Sequence, residues 1–102
     1  MPHGLKPAVV EKINKVFSSH AEIDQAVLYG SRAKGNFKAG SDIDLCLKGK
    51  ALSLPLLLKI ENELDDLMLP YKIDLSIFHE LDNPALIDHI NRVGLFFYQR
   101  KN

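Results

Sequence analysis

The sequence contains no tryptophan, a single cysteine and no net charge, because 13 Lys and Arg residues balance 13 Asp and Glu residues. Each shortage excludes something. One cysteine, Cys46, can close neither an internal disulfide nor a CxxC metal site. Its place in an apolar run reads as a small buried hydrophobe. Without a basic excess the chain lacks the footprint of a free-standing nucleic-acid binder, whose affinity comes largely from phosphate contacts. Long tails of one charge are absent too. No apolar stretch approaches the roughly 18 residues that span a bilayer. The longest, Leu52 to Ile60, is broken by Ser53, Pro55 and Lys59. Met1 to Pro7 has no apolar core and no cleavage site of a signal peptide, so the cytoplasm is the expected compartment. His3, His20, His79 and His89 are scattered without metal-ligand spacing and read as surface or capping residues.

What is present is an ordinary globular composition, 46% hydrophobic and 25% charged over 102 residues. It fits one domain, 1–102, at the small end of the usual range. Pro7 to about Phe17 carries Val9, Val10, Ile13, Val16 and Phe17 at helical spacing behind a first-turn proline. Gln25 to Tyr29 is a short β-favouring run that stops at Gly30-Ser31, after which Ser31 to Lys34 suits one helical turn. Asp42 to Lys48 alternates strictly, with Ile43, Leu45 and Leu47 on one face and Asp42, Asp44, Cys46 and Lys48 on the other. Leu54 to Leu69 follows as a helix, with Ser53 as its cap, a stripe of Leu57, Ile60, Leu64 and Leu67, and Pro70 as its stop. The surplus of Leu54, Leu56 and Leu58 reads as core, and leaves open a surface for a partner or a second copy. Lys72 to Phe78 alternates again, with Lys72, Asp74 and Ser76 on the polar face. Asn83 caps a helix that starts at Pro84 and ends at Gly94, and Leu95 to Gln99 reads as a last strand whose Phe96, Phe97 and Tyr98 pack the core. Alternating strands and helices imply α/β layers. The short connection between the first two strands implies a mixed sheet.

The chemistry concentrates in Gly30 to Leu45. Asp is depleted in strands, yet Asp42 and Asp44 sit two apart on one strand face, where like charges repel and favour a counter-cation. Hard oxygen donors suit Mg²⁺, with substrate phosphates filling the remaining positions. Asp74 lies on the polar face of another strand. If the two strands are neighbours, three carboxylates converge, enough for a two-metal site. Gly30-Ser31 ends a strand and opens a helical turn, a setting where backbone N–H groups face anions. Arg32, Lys34 and Lys38 make the following loop locally basic. Taken singly, each feature also describes an ordinary solvated strand or turn.

Taken together, Gly30-Ser31, a gap of ten residues, Asp42-x-Asp44 and a later strand acid at Asp74 resemble the signature of the DNA polymerase β-like nucleotidyltransferase superfamily. The fuller run, Gly30-Ser31-Arg32-Ala33-Lys34-Gly35 followed by Gly40-Ser41-Asp42-Ile43-Asp44-Leu45, is similar to its minimal prokaryotic branch, and the likeness extends over nearly the whole chain. Many relatives carry Arg where this chain has Lys34, which keeps the charge without the bidentate fork. The resemblance implies a small mixed sheet flanked by helices. It implies two Mg²⁺ ions held by Asp42 and Asp44 with Asp74 bridging the catalytic one, terminal phosphates held by Gly30 and Ser31 with help from Arg32, and transfer of a nucleoside monophosphate, AMP from ATP, to a hydroxyl with release of pyrophosphate. The resemblance also makes Asp74 the candidate to receive or orient the acceptor's proton. Members of this branch pair with a helical HEPN-domain protein, act as its antitoxin and modify one of its tyrosines. Two other readings stand beside it: a binding module of the same fold that neutralises a partner by masking, and a transferase acting on a small aminoglycoside-like molecule. So short a chain has little wall left to grip an acceptor, which favours an acceptor that brings its own surface. Self-association is open.

Overall fold

The computed structural model describes residues 3–101. Helix α1 spans Pro7–Ser18, strand β1 Gln25–Tyr29, the single-turn helix α2 Ser31–Lys34 and strand β2 Ile43–Lys48. They are followed by helix α3, Leu54–Asp65, strand β3, Ile73–Ile77, a 3₁₀ turn at Phe78–Glu80, helix α4, Pro84–Val93, and strand β4, Leu95–Gln99. The four strands form one sheet in the order β3-β2-β1-β4. β1 pairs antiparallel with both β2 and β4, whereas β2 and β3 run parallel. The sheet is therefore mixed, as the strand spacing predicts. A parallel pair needs a crossover, and α3 supplies it.

Alternation along the strands divides the side chains between two faces. Ala26, Leu28, Ile43, Leu45, Leu47, Leu75 and Ile77 join Ile13, Phe17, Leu57, Ile60 and Leu64 of α1 and α3 in the main core. On the opposite face Val27, Tyr29 and Cys46 pack against Ile90 of α4 in a smaller cluster. Cys46 is fully buried, as its apolar surroundings imply. α4 covers only part of this second face, and the rest is the acid-bearing end of the sheet. Asn83 caps α4 as expected, its Oδ1 accepting from the N–H groups of Ala85 and Leu86 at 3.0 and 3.2 Å.

Four expectations are corrected. α3 ends at Asp65, four residues short of the predicted Leu69. Asp65 and Asp66 stand where the helix dipole disfavours anions, no basic residue lies in the last turn, and Met68 turns into the left-handed region with φ 56°. Ser53 occupies the cap position of α3, but its side chain makes no capping bond. The surplus leucines divide: Leu56 packs against the core beside buried Leu57, while Leu54 and Leu58 are 57% and 52% exposed. Phe96 of β4 likewise faces outward, whereas Phe97 and Tyr98 pack against the core.

Candidate active site

The sheet register does what no local pattern could. In the parallel β2–β3 pair Asp44 stands opposite Asp74, and in the antiparallel β1–β2 pair Tyr29 stands opposite Asp44. Tyr29, Asp44 and Asp74 thus form one row across three strands, on the face that α4 leaves partly open. Asp44 is half-buried, and Asp42 and Asp74 are exposed. Asp42 lies just ahead of β2, which begins at Ile43, so it sits at the mouth of the row. Burial raises the Asp44 carboxyl above its ordinary value, with Asp74 and Asp42 adding repulsion, while His89, when protonated, and Lys72 pull the other way. Burial first, then Asp74 and Asp44, likewise pushes the Tyr29 hydroxyl up.

Gly30 follows directly. Its φ of 75° and ψ of −154° lie in a region essentially reserved for glycine. A Cβ built there would fall 2.4 Å from Oδ2 of Asp44. The glycine is therefore required twice, by its backbone and by the carboxylate against it. The carbonyl of Gly30 accepts from Lys34 N–H at 3.1 Å, closing α2. Its N–H, expected to face phosphate, instead donates to Nε2 of His89 on α4 at 3.1 Å. The ring of His89 also meets Tyr29 edge-on, with centroids 6.2 Å apart. In the sequence His89 looks like any scattered histidine. It lies 59 positions from Gly30, and only the packing of α4 on β1 joins them. Ser31, half-buried at the first position of α2, remains where the motif places it.

Arg32 departs from expectation. Its side chain is 1% exposed and points inward. Nε and Nη2 donate to Ser41 O at 3.1 and 2.9 Å, Nη2 also to Ala39 O at 3.3 Å, and Nη1 to His3 O at 3.0 Å. The guanidinium lies about 5 Å from the ring centres of both Phe37 and Tyr71. Its donors are committed to the loop that delivers Asp42, so in this structure Arg32 braces the site and does not face a nucleotide. Lys34 and Lys38 are exposed on that loop, where the Ser41 hydroxyl accepts from Lys38 N–H at 2.8 Å.

Among the described residues no three Asp, Glu, His or Cys side chains form a ready metal-binding group. The expected three-carboxylate set is therefore an aligned pair with Asp42 beside it, and not a closed cage. That arrangement still fits Mg²⁺, which typically takes one or two carboxylates and completes its shell with waters and substrate phosphates. No helix among the described residues is long and apolar enough to cross a membrane.

The profile of the family described as "Polymerase beta, Nucleotidyltransferase" matches residues 11–102. No curated protein matches the chain. Among solved structures, a toxin–antitoxin complex with AMP-PNP is similar at 18% identity and a TM-score of 0.72, over 90% of this chain and 74% of that one. The MntA–HepT toxin–antitoxin complex is similar at 15% identity and a TM-score of 0.68, over 93% and 74%. A tri-AMPylated Shewanella oneidensis HEPN toxin in complex with an MNT antitoxin is similar at 15% identity and a TM-score of 0.69, over 94% and 74%. At such identities these likenesses establish the fold.

Proposed function

The chain belongs to the polymerase beta nucleotidyltransferase family, and we propose that it transfers AMP from ATP, with Mg²⁺, to a tyrosine hydroxyl of a helical HEPN-domain partner and so acts as its antitoxin. The observation that carries this reading is the register of Asp44 against Asp74 across parallel strands, beside a glycine whose Cβ would strike Asp44. A protein that merely masked a partner would have no physical need for repelling acids in line on a sheet face. Two of the three acids are exposed, which suits an acceptor that arrives on its own surface. The similar complexes, one with an AMPylated HEPN toxin and one holding AMP-PNP, support the choice of nucleotide and partner.

The roles follow from position. Asp42, Asp44 and Asp74 would hold Mg²⁺, which when bound neutralises phosphate charge and acts as a Lewis acid. Ser31 offers its hydroxyl to the terminal phosphates at the turn that Gly30 makes possible. Asp74, exposed on the edge strand β3, would take the proton of an incoming hydroxyl. That oxygen bonds to the α-phosphorus as the bond from phosphorus to the β-bridging oxygen breaks, and pyrophosphate leaves. What the chain contributes is positioning and charge compensation, which dominate phosphoryl-transfer catalysis.

The test is to incubate the purified chain and its HEPN-type partner with ATP and Mg²⁺ and to measure intact masses. A gain of whole AMP units on the partner, abolished by mutating the acceptor tyrosine to phenylalanine, is expected. Unchanged masses for both chains would overturn the reading.

A further inference from the structure

Gly30 is tied at both ends. Its carbonyl closes α2 through Lys34 N–H, and its N–H donates to Nε2 of His89. For Nε2 to accept, the neutral ring must carry its proton on Nδ1. His89 is itself held by its helix: Ile90 is buried beside it, Leu86 packs one turn earlier, and Asn83 caps the start. At the other end Gly94 lies so close to β1 that a Cβ there would fall 2.6 Å from Cγ1 of Val27. The imidazole therefore reaches the Gly30 turn from a rigid support, and its edge-on contact with Tyr29 fixes the ring plane.

We infer that His89 is a positioning residue for the nucleotide-binding turn: by accepting from the Gly30 N–H it holds that residue in its glycine-only conformation and sets Ser31 and the Asp44 carboxylate relative to one another. The inference rests on the proposed nucleotide transfer and extends it, since the resemblance places phosphate contacts on Gly30 and Ser31 without involving α4. It also removes the Gly30 N–H from the set of phosphate donors and leaves that task to Ser31. Without the bond, the Gly30 N–H loses its acceptor in a partly buried place and the turn is free to relax toward commoner backbone angles. Nucleotide affinity is the quantity that suffers, because the turn grips phosphate before and during the reaction alike.

Two variants separate the hydrogen bond from simple packing. His89→Phe keeps a ring against Tyr29 and removes the acceptor. His89→Gln restores an acceptor of similar reach. Affinity for a non-hydrolysable ATP analogue with Mg²⁺ is measured by calorimetry, KM and kcat by AMP transfer to the partner, and the His89 tautomer by ¹H–¹⁵N correlation spectroscopy of the whole chain. His89→Phe is expected to weaken binding and raise KM about tenfold, as an orphaned N–H implies. The loss falls on KM rather than kcat, His89→Gln recovers most of it, and the wild-type ring is the Nδ1–H tautomer. Wild-type affinity in His89→Phe, equal loss in both variants, or an Nε2–H ring would overturn the inference. A wild-type chain that binds no nucleotide would instead overturn the functional reading on which it rests.

Discussion

Asp44 is the residue at which the site's electrostatics can be measured. Its carboxyl is raised by burial and by Asp74 and Asp42. A raised acid favours the folded chain while protonated. That contribution is fully present below the ordinary aspartate value of 3.8 and is lost as pH rises through the raised folded value. At neutral pH without metal, the ionised Asp44 is thus a liability to the fold. Asp44→Asn should raise the thermal midpoint of the metal-free chain at pH 7 and leave it unchanged at pH 3, as calorimetry would show. The same change should reduce AMP transfer at least about 100-fold, the usual consequence of weakening the hold on an ion that stabilises transition-state charge. A variant that loses stability at pH 7, or keeps activity, would contradict the assignment. The Asp42-x-Asp44 pair and Gly30-Ser31 were legible in the sequence because each is a local pattern. The direction of Arg32 was not, since a cation in a basic loop looks alike whether it faces solvent or the interior.

At the scale of elements the periodicities served well wherever burial was one-sided. The strict alternation of residues 43–48 and 73–77 places Asp44 and Asp74 away from the main core, and both strands form as the pattern requires. The pattern failed at the end of α3. Leu67 and Leu69 continue the apolar content and still pack against the core, yet the helix has already stopped at Asp65 and the chain turns through Met68. Apolar spacing reports which residues are buried, and a turn can bury them as well as a helix does. Met68 is 86% exposed at φ 56°, so its side chain gains little from packing while its Cβ opposes the left-handed backbone. Met68→Gly should stabilise the chain by about 0.5–1 kcal/mol, read as a higher urea midpoint at constant slope. An unchanged or lower midpoint would mean that the turn carries no such strain.

For the whole molecule, the organising contact is Arg32. It joins the N-terminal segment at His3, the loop at Ala39 and Ser41, and the approach to β3 at Tyr71, three stretches distant in sequence. Arg32→Lys keeps the charge but not the flat fork that serves several carbonyls and lies against two rings. It should destabilise the chain by about 2–3 kcal/mol in urea titration, with transfer activity falling as Asp42 loosens. A variant of normal stability but weak nucleotide affinity would return Arg32 to the phosphate role that the motif suggests. The order of strands and helices, the alternation of their faces, the neutral balance and the family motif can be read from the residues alone, because they follow from short-range sterics, side-chain period and composition. Folding alone puts Asp44 and Asp74 in one register, turns Arg32 inward and carries His89 to Gly30. Those facts depend on which distant segments pack together, and packing is settled by the shape of the whole core rather than by any local run of residues.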